Sequence, residues 1–225
     1  MNLFIGYDAR ESAAFYTLAH SVLRRASVPV TITALMRSQL DGLYTRSRGP
    51  TESTEFSLTR FLVPALSGFR GRSVFMDCDM LCRSDIAELA AEADRQLDKA
   101  VLVCQHDYVP STSRKFLDQP QTRYERKNWS SLMVFNNERC RALAPGYVNS
   151  APGLDLHRFR WIPDSDIGAL PLEWNWLVGE YAYNEKAKIV HYTIGGPYFP
   201  QYRECDYAQE WFAEYESMRA VAPAP

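Results

Sequence analysis

Residues 73–86 read SVFMDCDMLCRSDI: an apolar run, Val74-Phe75-Met76, that stops at two carboxylates flanking a cysteine. The run has the make-up of a buried strand, and Ser84-Asp85 ahead of Ile86 reads as the cap of a helix. Alternate residues of an extended segment share a face, so Asp77 and Asp79 stand side by side at the strand's end, where their charges repel. Such a pair requires a divalent cation, a shared proton or abundant water. D-x-D alone is weak, since about one copy arises by chance in a chain of this kind, and a second copy occurs at Asp164-Ser165-Asp166. Position distinguishes the first copy. A carboxylate pair at the end of an apolar strand in an α/β chain faces the place where phosphorylated ligands bind, and its hard oxygens suit Mg²⁺ or Mn²⁺.

Around this stretch helices alternate with strands. Leu3-Phe4-Ile5 closes at Gly6, residues 11–26 carry apolar side chains at helical spacing (Phe15, Leu18, Ala19, Val22, Leu23), and 28–35 is a second strand. Residues 58–66 read as a helix, 72–76 as the strand before the pair, 84–89 as the capped helix after it, and 100–104, 132–135 and 189–192 as further strands. The expected fold is α/β: a single domain over 1–220 with a mixed, mostly parallel central sheet flanked by helices and ligands at the strands' carboxyl ends. Residues 221–225 read as a disordered tail. Two polar, partly basic stretches, 36–56 and 106–128, exceed ordinary connections and read either as lids or binding loops or as solvated surface.

Composition narrows the function classes. The 225 residues are 46% hydrophobic and 13% aromatic, enough for one well-buried domain. A formal charge of -2 provides no global field for a polyanion, which argues against nucleic acid as partner while leaving room for a local basic patch. Cysteines at 78, 82, 104, 140 and 205 are odd in number and form no C-x-x-C pair, so reduced thiols in a cytoplasm are the plain reading. The short apolar run in MNLFIGYD is no signal-peptide core, and no stretch is long and apolar enough to span a membrane, although work at a membrane surface stays open.

Two chemistries use a strand-end pair of this kind. In haloacid-dehalogenase-like phosphohydrolases the first Asp, here Asp77, is a nucleophile; that motif sits on the first strand and continues with a small or β-branched residue where this chain has Leu81. In nucleotide-sugar transferases the pair grips a metal that bridges the donor's phosphates and offsets the charge growing on the departing diphosphate. A sugar-nucleotide-binding protein with weak catalysis is a third reading.

The order of motifs resembles the retaining family-eight-type glycosyltransferases, the glycogenin and bacterial galactosyltransferase group with a GT-A fold. FIGYDARESAAFYTLAHSVLRRAS is similar to their opening strand and helix, SLTRFLVPAL to the helix carrying an Arg ahead of the metal motif, VFMDCDMLCRSDI to the metal strand, SSLMVFNN to the sugar-side strand, and IVHYTIGGPY to the late strand that delivers a metal-binding His. The resemblance implies transfer of a hexose, by expectation from UDP, to the hydroxyl of a carbohydrate or glycan acceptor. It assigns Asp77, Asp79 and His191 to Mn²⁺ or Mg²⁺, and Gly6, Tyr7, Asp8, Arg60, Cys78, Gly195 and Gly196 to the donor nucleotide. The glycines let backbone N–H groups approach a diphosphate, Tyr7 can stack on a base and Asp8 can accept from base or ribose. Arg60, Asp164 and Asp166 are the catalytic candidates, and Ser130, Ser131, Trp174 and Asn175 the sugar-side ones.

Plainer roles stand beside these. His191 can be a satisfied structural histidine, Arg60 a surface ion-pair partner, Tyr7 an exposed turn residue, Asp164 and Asp166 a solvated turn after Pro163. In the 172–176 cluster, one of Trp174 and Trp176 is expected in the core and the other at the cleft. The chain also departs from the family: Asn128-Trp129-Ser130-Ser131 replaces an Asn-Ala-Gly turn, Ser165 replaces an amide, and no lysine occurs over 193–199. Compensating charge is expected from Arg60, Arg203 or a basic loop.

Overall fold

The structure, a computed structural model, describes residues 1–49, 52–120 and 123–220; the expected tail at 221–225 lies outside the described residues. The chain opens with β1 (Asn2–Gly6), a helical turn (Ala9–Glu11) capped by Asp8, α1 (Ser12–Arg25) and β2 (Thr31–Leu35). The one-turn helix α2 (Val63–Leu66), β3 (Arg72–Met76), β4 (Met80–Cys82), α3 (Ile86–Asp94) and β5 (Val101–Cys104) follow, then two short strands, β6 (Arg114–Lys115) and β7 (Gln119–Pro120). The second half holds β8 (Leu132–Asn136), α4 (Pro145–Ser150), α5 (Gly153–His157), β9 (Ile167–Leu170), β10 (Trp176–Leu177), β11 (Ile189–His191) and α6 (Ala208–Arg219).

Six strands form the central sheet in the order β2-β1-β3-β8-β5-β9, all parallel except β8. The mixed, mostly parallel α/β sheet expected from the sequence is therefore present. No residue from Val74 to Met76, Val101 to Cys104 or Leu132 to Phe135 is more than 4% exposed, so both faces of these strands are covered, which is why they read as unbroken apolar runs. A second sheet, β10-β11-β4, stands at the carboxyl end of β3, with β11 antiparallel to β4. Residues 77–79 carry the chain from one sheet to the other.

Several boundaries differ from expectation. The strand expected from residue 28 begins at Thr31, because Pro29 has no N–H for the ladder. The helix expected over 58–66 is a 3₁₀ turn (Thr59–Leu62) leading into α2; residues 59–64 are all buried, so no amphipathic stripe imposes a 3.6 period. Leu23, placed by spacing on the inner face of α1, is 54% exposed, whereas Phe15, Leu18 and Val22 are buried. Strands β4 and β9 and helix α6 were not expected at all. Helix α6 is tied to α1 through the buried Glu214, which meets His20 at 2.6 Å and Arg25 at 2.8 Å.

Candidate metal and donor site

Register brings the histidine to the carboxylates. In the β11–β4 pairing His191 lies opposite Met80, and the Tyr192 N–H donates to the Asp79 carbonyl at 2.8 Å. The Asp77 N–H donates to the Ser131 carbonyl at 2.9 Å, tying the pair to the start of β8. Asp77, Asp79 and His191 each offer one ligand atom, and the three lie within 4.8 Å of one another. Asp79 Oδ1 is buried without a hydrogen-bond partner among the described residues, whereas Asp77 Oδ1 makes an ion pair with Arg60 at 2.7 Å. A buried carboxylate oxygen left bare costs free energy unless a cation meets it.

The histidine is oriented for the same purpose. Its Nδ1 is 3.0 Å from Asn175 Oδ1, while Asn175 Nδ2 donates to Ser131 Oγ at 2.8 Å and Ser131 Oγ donates to the Asn128 carbonyl at 2.7 Å. With its amide nitrogen committed, Asn175 presents its oxygen, so the ring proton sits on Nδ1. His191 Nε2 then faces Asp79 Oδ1 at 3.3 Å, lone pair to lone pair. Only a proton or a metal ion between them makes that approach favourable, and a carboxylate–carboxylate–imidazole donor set fits Mn²⁺ or Mg²⁺.

Charge around the pair is uneven. Burial pushes the Asp77 carboxyl up to about 6, against the pull of Arg60 and with the Asp79 charge adding to the rise. Burial would also raise Asp79, but His191 and Lys115 draw it below the usual carboxylate range. Glu11, at the start of α1, is pushed up to about 8 by burial and by Asp79; its Oε1 accepts from the Tyr198 hydroxyl at 2.7 Å and its Oε2 has no hydrogen-bond partner among the described residues. Arg60 is 5% exposed and therefore not a surface ion-pair residue. Its guanidinium lies over the Phe56 and Phe75 rings at 5.4 and 4.9 Å, with Nη1 2.7 Å from Asp77 Oδ1 but donating to the Ser130 carbonyl at 2.8 Å.

A cleft of about 690 Å³ opens beside Asp77, walled by parts of both long stretches and by α5, and lined among others by Arg60, Lys115, Tyr124, Ser130 and His157. Ser130 Oγ and His157 Nδ1 share a hydrogen bond of 2.8 Å, and burial, with Arg60 and Lys127 nearby, holds His157 neutral with a value near 3.

Over 224 aligned positions the chain is 44% identical to Protein CDI of Arabidopsis thaliana, covering 95% of this chain and 85% of that one. The chain belongs to the family of Protein CDI. No family model matches it. Among solved structures, the WbbM bifunctional glycosyltransferase superposes with a TM-score of 0.66 at 16% identity, covering 96% of this chain, which spans 49% of the WbbM chain. The galactosyltransferase LgtC superposes with a TM-score of 0.59 at 12% identity, covering 99% of this chain and 98% of its own. At such identities the likeness is one of fold, and the fold is GT-A.

The other expected site residues fall in three groups in this CDI-family chain. At the donor turn, Tyr7 is half-buried and packs edge-on against Phe15 at 5.3 Å, while the Asp8 carboxylate accepts from Arg10 Nε at 2.9 Å and the Glu55 N–H at 3.2 Å. Gly6, Gly195 and Gly196 are close-packed positions: an added β-carbon would meet Phe56, Tyr202 and Tyr198 at 2.3, 2.3 and 2.2 Å. Cys78 points into the core, where burial drives its thiol well above its ordinary value.

A second group acts from behind the first. Ser130 and Ser131 are buried and hold Arg60, Asp77, His157 and Asn175 in place through the bonds above. Trp174 is wholly buried with the Lys188 ammonium 4.7 Å from its ring, so it is the core tryptophan; Trp176 packs on Tyr181 at 5.1 Å and does not line the cleft.

The third group is elsewhere. Asp166 immediately precedes β9, whose first residue is level with Val101 and, across β8, with Ser73; the carboxyl end of β3 is therefore the far edge of the sheet. Asp164 is 76% exposed and pairs with Arg126 at 2.7 Å. The sequence placed these two at the reaction centre, and the short run from Pro163 into β9 keeps them away from it. Arg203 stacks on Phe212 at 5.0 Å and does not line the cleft. Lys115, Glu11 and His157 were not singled out in the sequence: each lies in an unremarkable polar context, and only the chain's folding gathers them.

Proposed function

We propose that this protein is a metal-dependent glycosyltransferase of the family-eight type, one nucleotide-sugar-binding domain over 1–220 that moves a hexose from a nucleoside diphosphate, in first expectation UDP, to an acceptor hydroxyl with retention. The observation that carries the proposal is the convergence of Asp77, Asp79 and His191 at the carboxyl end of β3, with one ligand atom of each within 4.8 Å of the others and Asp79 Oδ1 without a hydrogen-bond partner among the described residues. The GT-A fold supports it.

In this reading Asp77, Asp79 and His191 hold Mn²⁺ or Mg²⁺, which when bound neutralises charge on the donor diphosphate. Arg60 and Lys115 add positive charge at the Asp77 side of the cleft. Lys115, from β6, answers the missing lysine after His191, since the charges of Asp79, Asp77 and Glu11 all act on it. Tyr7 serves the base, with Asp8 ordering the turn, and Ser130, Tyr124 and His157 line the space for sugar.

A panel of nucleotide sugars, assayed with and without Mn²⁺, tests the reading. Metal-dependent hexose transfer is the expected result. Release of free phosphate with a trapped aspartyl-phosphate at Asp77 would replace it with the phosphohydrolase, and binding without turnover with a sugar-nucleotide-binding protein.

A further inference from the structure

The cleft beside Asp77 carries much more positive charge than its metal end needs. Its described lining holds six cationic side chains, Arg46, Arg60, Lys115, Arg123, Lys127 and Arg158, against two carboxylates, Glu52 and Asp77, in a chain whose formal charge is -2. Arg60 is matched by Asp77 and Lys115 faces the carboxylate cluster. Among the described residues no carboxylate comes closer than 3.8 Å to any of the other four. Arg46 is held by the Val148 and Ala151 carbonyls, which orient it without cancelling its charge. Among the described residues Arg123 and Lys127 form no ion pair, and Lys127 rests over the Tyr124 ring at 5.1 Å. Among the described residues Arg158 reaches no carboxylate closer than Glu125 at 3.8 Å, and its Nε is buried without a hydrogen-bond acceptor.

These cations come from separate elements, the 36–56 stretch, the segment before β8 and the end of α5, and converge on one cavity. Like charges gathered in a partly desolvated cleft repel, and the arrangement is favourable only with an anion in place. A nucleoside diphosphate sugar brings about two negative charges, and a divalent ion offsets about two, so the donor does not account for the surplus.

Resting on the transferase reading, we propose that the acceptor is an anionic sugar, one bearing a phosphate or carboxylate group that Lys127, Arg158 and Arg123 hold while Tyr124, His157 and Ser130 contact the ring. A cavity of about 690 Å³ has room for a sugar of this size beside the donor's hexose. Phosphate and carboxylate share the recognising chemistry, a guanidinium fork and an ammonium.

Titration calorimetry on the metal-free full chain, with glucose 6-phosphate, glucuronate, methyl glucoside and inorganic phosphate as probes at two ionic strengths, tests the assignment without requiring turnover. Glucose 6-phosphate or glucuronate should bind at least about tenfold tighter than methyl glucoside, with the advantage shrinking at high salt; whichever of the two binds tighter names the anionic group. Lys127→Gln with Arg158→Gln should weaken the anionic probe by roughly tenfold to a hundredfold while circular dichroism stays parental. Equal affinity for methyl glucoside, or inorganic phosphate binding as tightly as glucose 6-phosphate, would overturn the proposal. A protein that transfers hexose yet prefers neutral acceptors sinks this inference alone, whereas one that binds sugar phosphates but turns over no donor sinks the transferase reading alone.

Discussion

Asn175 accepts the Nδ1 proton of His191 at 3.0 Å, and through that bond a residue with no place in the metal cluster decides which ring nitrogen is free. Asn175→Ala should weaken Mn²⁺ binding about tenfold to a hundredfold, the usual effect of losing the partner that orients a ligating imidazole. Calorimetric titration with Mn²⁺ checks it; parental affinity would show that His191 keeps its orientation unaided.

Asp79→Ala should abolish the stabilisation by Mn²⁺ and leave the metal-free protein folded at a modest cost, because the Asp79 carboxylate loses the attraction of His191 and Lys115 that holds it below the usual range. Thermal melts with and without the metal read this directly. A midpoint that still rises with Mn²⁺ would place the ion elsewhere.

Arg60→Ala is expected to act twice. Removing a buried guanidinium leaves Asp77 uncompensated and costs roughly 3–5 kcal/mol of stability in the metal-free protein. With saturating Mn²⁺ the fold should recover in part, and transfer efficiency should still fall about tenfold to a hundredfold. Arg60→Lys should restore only some of it, because the planar guanidinium that donates to the Phe56 carbonyl through Nε and to the Ser130 carbonyl through Nη1 is lost. Steady-state rates and melts of both variants decide the point.

Glu11 gives a pH test. Its folded value of about 8 lies above its ordinary 4.5, so the folded state holds the proton more tightly than the unfolded one. Stability from this group is fully present below about 4.5 and declines as pH rises towards 8. Glu11→Gln, which keeps an acceptor for Tyr198, should match the parent at the acid end and gain on it by up to about 1.4 kcal/mol per pH unit across that window. Denaturant melts of the metal-free proteins at several pH values check the slope; parallel curves would mean that Glu11 is ionised in the fold.

The parts of this molecule that were legible in the sequence are those with both faces buried. Strands β1, β3, β5, β8 and β11 announce themselves as apolar runs; the candidate pair Asp77 and Asp79 follows because it sits where such a run stops, and His191 entered through the family resemblance. Strand β9 was missed because Gly168 breaks its pattern: an added β-carbon there would meet Leu102 at 2.3 Å. Helix α6 was missed because its charged surface hides a thin buried stripe of Ala208, Trp211 and Glu214. Asn175 was read as a sugar contact, and its actual partners lie 44 and 16 residues away in sequence, at Ser131 and His191. Local pattern carries no trace of such pairings. Asp164 and Asp166 misled for the converse reason: a correct-looking motif whose strand begins at the wrong end of the sheet.

The ring of Phe56 fills the space that any side chain on residue 6 would need, its Cγ 2.3 Å from where a β-carbon would stand. Positions 6 and 56 are therefore mutually exclusive in volume, a size constraint linking the first strand to a loop fifty residues later. Through it, the seating of Phe56 against the end of β1 is recorded in a single absent methyl group. In descendants of this chain, bulk can be added at one of the two positions only where it has been given up at the other.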